Sequence, residues 1–233
     1  MEKFFKIEKC NILRDNKIVI NDISIDLDKS ICILGESGSY KTFFLNEIYR
    51  NHNIFKSNGK IAFYFYYMLK KDVFVKYKSE MNEDLFELYK YLINNNKNLE
   101  NKFALIRVLM INPDYFLCDD LYRVLDFDEL KMVVDYINKK NIKMLYLTSD
   151  IESTVLFEYL IVLKNNKIAI EGKTLLVLKE EKIMKLLGFN LPFYVNMSIQ
   201  LGYYGIINEI YNNEHDLVEA LWQLKWVDLL EIN

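Results

Sequence analysis

One stretch of this chain carries residue types and spacing suited to holding a polyphosphate. Gly35-Glu36-Ser37-Gly38-Ser39-Tyr40-Lys41-Thr42 follows the apolar run Ile31-Cys32-Ile33-Leu34 and leads into a helix-compatible run from Phe43 to Tyr49. It fits the phosphate-binding pattern G-x-x-x-x-G-K-[ST], except that Tyr40 holds the last glycine position. In such a loop, backbone N–H groups of the turn and of the helix N-terminus converge on phosphate oxygens. Lys41 would reach the β- and γ-phosphates, and Thr42 would hold Mg²⁺. Tyr40 places a bulky side chain where phosphate normally approaches bare backbone.

A second stretch supplies carboxylates. Tyr115-Phe116-Leu117-Cys118 reads as a short buried strand ending in Asp119-Asp120. In a parallel sheet the C-terminal end of a strand opens on the ligand crevice. In phosphate-loop NTPases a carboxylate delivered there helps to fix Mg²⁺, which makes Asp119 a candidate to assist the metal beside the loop at Lys41.

These residues need a scaffold, and the chain offers alternating elements. Phe4 to Asn11 and Lys17 to Leu27 read as a β-meander entering the loop, with Ile18, Ile20, Ile23, Ile25 and Leu27 marking its apolar positions. Lys60 to Met68 reads as a strand, then Glu83 to Leu92 and Phe103 to Met110 as helices. Asn112-Pro113-Asp114 is a turn, since proline biases the preceding residue away from the αR region. Phe127 to Lys139 reads as a helix, Met144 to Leu147 as a strand and Ser153 to Glu158 as a helical turn. Leu160 to Lys164 and Lys167 to Glu171 form a hairpin across Asn165-Asn166. Beyond Gly172 the pattern is helical, with Pro192 as punctuation. The expectation is an α/β fold with a mostly parallel sheet and an N-terminal antiparallel β part.

Composition narrows the classes. A net charge of −3 gives no basic field for nucleic acid. Cys10, Cys32 and Cys118 lack C-x-x-C spacing and read as small buried hydrophobes in a reducing compartment. The two histidines, His52 and His215, lie too far apart in sequence to suggest a zinc site. Glu2, Lys3 and Lys6 break any signal-peptide core, and no run reaches the ~20 apolar residues that span a bilayer. A soluble, cytoplasmic protein is expected.

Taken in order, the motifs resemble an ATP-binding-cassette (ABC) ATPase over residues 3 to 175. Ala104-Leu105 and Asn112-Pro113-Asp114 are similar to the family's helix and turn before its metal-binding strand, and Leu121 to Asp126 resembles its D-loop. Thr148-Ser149-Asp150 resembles the switch T-H-D, and Ile161 to Gly172 the closing hairpin. The tail narrows the resemblance further. Leu187-Gly188-Phe189-Asn190-Leu191-Pro192 and Glu214-His215-Asp216-Leu217-Val218-Glu219-Ala220-Leu221-Trp222 are similar to the C-terminal extension of energy-coupling-factor (ECF) transporter ATPases. In that family the extension helps two ATPase subunits to dimerise.

The resemblance implies a nucleotide-binding domain over 1–175, with a reduced helical subdomain at about 67–110, and a helical dimerisation extension over 176–233. It implies ATP and Mg²⁺ at Gly35 to Thr42 and Asp119. It implies as partners a second ABC ATPase subunit and a membrane-embedded coupling subunit, at the inner face of the cell membrane. Nucleic acid is not among the expected partners.

Departures from the family pattern bear on hydrolysis. Asn95-Asn96-Lys97-Asn98-Leu99 occupies the place of the L-S-G-G-Q signature, and Tyr66 that of the Q-loop glutamine. Asp120 stands where the catalytic Glu belongs, one methylene shorter, and is the residual candidate base. Ser149 replaces the switch His, and Arg14 is nearest to the position of the adenine-stacking aromatic. The interval from Tyr66 to Asp119 is short for the family's helical subdomain. The expected function is an ATP-binding subunit of an ECF-type importer of a vitamin or metal ion, impaired in hydrolysis. The alternatives are an active ABC ATPase with divergent motifs and a pseudo-ATPase scaffold that binds no nucleotide.

Overall fold

The apolar run before the phosphate loop forms β3 (Ile31–Gly35), and its neighbours explain why every one of its residues is buried. The computed structural model describes residues 3–65 and 81–230. A six-stranded sheet has the order β5-β6-β7-β3-β8-β9. It comprises β5 (Ile61–Phe65), β6 (Tyr115–Asp119), β7 (Lys143–Thr148), β3, β8 (Tyr159–Lys164) and β9 (Lys167–Lys173). All neighbours pair in parallel except β8 and β9, which form the antiparallel hairpin. A smaller antiparallel sheet has the order β2-β1-β4, built from β1 (Phe5–Arg14), β2 (Lys17–Asp26) and the two-residue β4 (Lys56–Ser57).

The parallel sheet is covered on both faces, so its strands read as continuous apolar runs rather than as alternation. Ile31 and Ile33 join a core shared with the antiparallel sheet and with α1 (Lys41–Arg50). Cys32 and Leu34 face the opposite core, which contains buried residues of α2 (Glu83–Asn94), α3 (Leu99–Met110) and α4 (Phe127–Lys139). β6 splits the same way, with Tyr115 and Leu117 on the α1 side and Phe116 and Cys118 on the other. Strand alternation therefore puts Asp119 on the α1 side. α1 itself buries Phe44, Leu45 and Ile48, and each fully buried side chain of this kind contributes about 1.5–3 kcal/mol.

α4 begins with a capping box, in which Asp126 accepts from the Glu129 N–H and Glu129 accepts from the Asp126 N–H. The chain ends in α5 (Thr174–Lys179), α6 (Glu181–Leu186), α7 (Phe193–Tyr203) and α8 (Glu214–Leu230). α3 starts a full turn before the expected Phe103. Lys102 explains this, reaching back to the carbonyls of Leu92 and Asn95 at 3.1 and 3.2 Å and to Glu129 at 2.5 Å. That buried ion pair locks α3 onto α4. The expected continuation of β5 to Met68 lies outside the described residues.

Candidate nucleotide site

The C-terminal ends of β3, β6 and β7 converge on one edge of the sheet, where Leu34 lies beside Thr148, and Asp119 beside Leu147. This is the edge at which α/β sheets bind ligands. The loop Gly35 to Tyr40 turns there into α1. Gly35 has no room for a side chain, because a Cβ would lie 2.5 Å from Ser39 Oγ. Tyr40 takes the left-handed conformation, φ 62° and ψ 17°, that a glycine would adopt freely. For a side-chain-bearing residue this costs roughly 1–2 kcal/mol, offset by packing of the half-buried ring against the core beneath α1. The loop thus keeps its turn although its last glycine is gone.

Lys41 lies almost entirely within that loop. Its Nζ donates to the carbonyls of Gly35 and Glu36 at 2.6 and 3.0 Å and to Ser39 Oγ at 3.0 Å. Burial lowers the ammonium pKa, while Asp120 and Asp119 raise it. One residue on, the Thr42 hydroxyl donates to Asp119 Oδ2 at 2.6 Å. Burial pushes the Asp119 carboxyl up to about 6.

Among the described residues, Oδ1 of Asp119 and Oδ1 of Asp120 are buried without a hydrogen-bond partner. A carboxylate with an orphaned oxygen beside a threonine hydroxyl fits Mg²⁺, which takes one or two carboxylates together with phosphate and water oxygens. Thr42 and Asp119 would hold the ion, whose chemistry is to bridge phosphate oxygens and neutralise their charge. No cluster of three or more His, Cys, Asp or Glu side chains suited to a metal occurs among the described residues, so the donor set is a sparse one.

Asp120, at φ 47° and ψ 45°, caps a 3-10 turn over Leu121–Arg123. Its N–H donates to the Leu147 carbonyl at 2.8 Å, and its Oδ2 accepts from Arg123 Nε at 3.0 Å. Ser149 Oγ lies 3.0 Å from the Tyr122 hydroxyl. A cavity of about 560 Å³ runs along the loop, bordered by Ser37 to Thr42 and by Arg14, Phe43, Asp120, Arg123 and Ser149. The Arg14 guanidinium stands 5.8 Å from the centre of the Phe43 ring. The structure therefore brings together Gly35 to Thr42, Asp119, Asp120, Ser149 and Arg14. Tyr66 lies outside the described residues. Asn95 to Asn98 connects α2 to α3, and the Asn98 amide donates to the Val124 carbonyl at 3.0 Å, which holds this connection against the segment after β6.

Arg123 escaped sequence reasoning, because a lone arginine in a connection has no periodic or motif signal. In the sequence Glu36 stands out only as part of the loop pattern. Its carboxylate accepts from Lys164 Nζ at 2.6 Å, and that ammonium also donates to the Leu187 carbonyl at 3.1 Å. Loop and C-terminal helices are thereby joined.

No model of a protein family matches the chain. By sequence it resembles the energy-coupling factor transporter ATP-binding protein EcfA1 of Lactobacillus delbrueckii subsp. bulgaricus, 24% identical over 131 residues, covering 54% of this chain and 46% of that one. EcfA1 of Geobacillus kaustophilus is 27% identical over 130 residues, covering 54% and 47%. EcfA of Pediococcus pentosaceus is 28% identical over 131 residues with the same shares. The chain thus spans about half the length of the curated relatives it matches. By fold it matches a structure of an ATP-binding cassette of an ABC transporter, with a TM-score of 0.61 and 15% identity over 82% of this chain and all of that one. The ADP conformation of the same cassette gives 0.59 with the same identity and shares. The chain has the fold of these ABC-transporter cassettes, and over about half its length it is similar in sequence to the ATP-binding proteins of energy-coupling-factor transporters.

Proposed function

We propose that this chain binds MgATP on the Gly35–Thr42 loop as an ATP-binding subunit of an ECF-type importer of a vitamin or metal ion, and that its own hydrolysis is impaired. The observation that carries the reading is the assembly of Lys41, Thr42 and Asp119 at one edge of the central strands, with Thr42 bonded to Asp119. The names of the sequence relatives support the transporter assignment. In this reading a second ABC ATPase subunit supplies the signature that Asn95 to Leu99 lacks, and a membrane-embedded coupling subunit receives the stroke. No helix among the described residues is long and apolar enough to cross a membrane, which accords with a peripheral place on the inner face of the cell membrane.

Impairment rests on three features. Oδ2 of Asp120 is taken by Arg123, the hydroxyl of Ser149 meets Tyr122, and the α2–α3 connection carries no glycine. Phosphoryl transfer depends almost wholly on positioning and charge stabilisation, so these losses bear directly on rate. The region over 176–233 would serve as the dimerisation extension, an assignment favoured by the exposed Leu186, Tyr203, Tyr204 and Trp222. A second reading, a working hydrolase with Asp120 as base, is favoured by the Oδ1 atom of Asp120 that has no partner among the described residues.

The test is nucleotide binding and turnover on the purified chain. MgATP should raise the melting temperature, because a ligand that binds only the folded state stabilises it, and Lys41→Ala should remove the effect. No shift at millimolar MgATP would favour the scaffold reading. Robust steady-state hydrolysis, alone or with the partner ATPase and abolished by Lys41→Ala here, would overturn the impaired reading.

A further inference from the structure

Among the described residues, three cations border the cavity along the loop, Arg14, Lys41 and Arg123, against a single bordering carboxylate, Asp120. That balance suits a strongly anionic ligand. Lys41 sits inside the loop, and Arg14 lies toward the antiparallel sheet, over Phe43. Arg123 stands at the other side, where β6 and β7 end. The 3-10 turn after Asp120 brings it back over that residue, with Nε 3.0 Å from Oδ2. Its side chain is 44% exposed whereas that of Asp120 is 8% exposed, so Arg123 is the more accessible member of the pair, and its guanidinium stands 5.6 Å from the centre of the Tyr122 ring. Arg123 is also close enough for its charge to act on both Lys41 and Asp119.

We propose that Arg123 is the specificity-determining residue for the terminal phosphate of the bound nucleotide, a guanidinium supplied in cis that makes the site prefer a nucleoside triphosphate over the diphosphate. The inference rests on the MgATP reading of the loop. Asp120 alone would repel a γ-phosphate, and its pairing with Arg123 removes that repulsion and anchors the guanidinium in one orientation. A planar fork of donors matches phosphate oxygens in a way that an ammonium does not. Ser149, already engaged with Tyr122, brings no charge to this end of the site.

The experiment is calorimetric titration of the full chain with MgATP and with MgADP. Wild type should bind ATP more tightly than ADP. Arg123→Ala should weaken ATP about tenfold or more, as expected for loss of a hydrogen bond between charged groups, and change ADP less than twofold. Arg123→Lys, which keeps the charge and the fold, should lose part of the preference. In Arg123→Ala/Asp120→Asn the ATP affinity should stay low. Recovery in that double variant would mean that an unpaired Asp120 caused the loss, and would overturn the proposal. Equal losses for ATP and ADP, or none, would also overturn it. If wild type binds neither nucleotide, the MgATP reading itself fails, which is a different result from an unaltered ATP-to-ADP ratio in a wild type that binds both.

Discussion

Thr42 Oγ1 donates to Asp119 Oδ2 at 2.6 Å, joining the first turn of α1 to the end of β6. The contact follows from two local rules. Strand alternation turns Asp119 toward α1, and the loop from Gly35 sets Thr42 in the first turn of that helix. One carboxylate oxygen is thereby satisfied and the other is left buried without a partner among the described residues. The same burial holds the carboxyl pKa at about 6.

The first prediction is a pH dependence set by Asp119. Its folded-state pKa of about 6 lies above the ordinary 3.8 of a free aspartate side chain, so between these values the folded chain binds a proton that the unfolded chain has released. This contribution to the stability of the nucleotide-free chain is complete below about pH 4 and is lost as pH rises through 6. Asp119→Asn should abolish that slope, read from urea midpoints between pH 4 and 7. Mg²⁺ needs the ionised form, so stabilisation by MgATP should grow as pH rises through 6 and be lost in the variant. A slope that survives Asp119→Asn would assign the titration to another group.

The candidate site was legible where its rules are local. The loop from Gly35 to Thr42 announces itself by composition and order, and the bounds of α4, Phe127–Lys139, are those its apolar spacing predicts. β6 ends as expected on its acidic pair. What escaped depends on partners distant in sequence. The first turn of α3, Leu99-Glu100-Asn101, has no apolar stripe of its own, and Lys102 secures it through α2 and α4. Two-residue β4 is too short to leave a pattern and is specified only by pairing with β1. Arg123 reaches Asp120 because a 3-10 turn returns it, which a single arginine cannot signal in a sequence.

The Lys102–Glu129 pair gives the second prediction. Both side chains are buried, and Lys102 also serves two carbonyls where α2 ends. Lys102→Met leaves a buried carboxylate unpaired and should cost about 3–5 kcal/mol. The urea midpoint should fall with little change in m. Adding Glu129→Gln should return part of the loss, since it removes the buried charge while keeping an oxygen for the capping box. An unchanged midpoint in Lys102→Met would show that the pair contributes nothing net.

The third prediction concerns the link from the phosphate loop to the C-terminal helices. Gly188 has φ +90°, and a Cβ there would lie 2.4 Å from Glu36 Oε1, the atom that accepts from Lys164. Gly188→Ala should therefore act twice. The backbone strain should cost about 1–2 kcal/mol. The Glu36 carboxylate, on a flexible side chain, should swing aside and lose Lys164. Glu36→Gln alone should cost less than about 1 kcal/mol, because the pair is partly exposed. In the double variant the Glu36→Gln cost should vanish, since the alanine has already broken the contact, and the two changes should be sub-additive in urea unfolding. Full additivity would mean that the Glu36–Lys164 contact survives when Gly188 acquires a side chain, and that Glu36 does not swing aside.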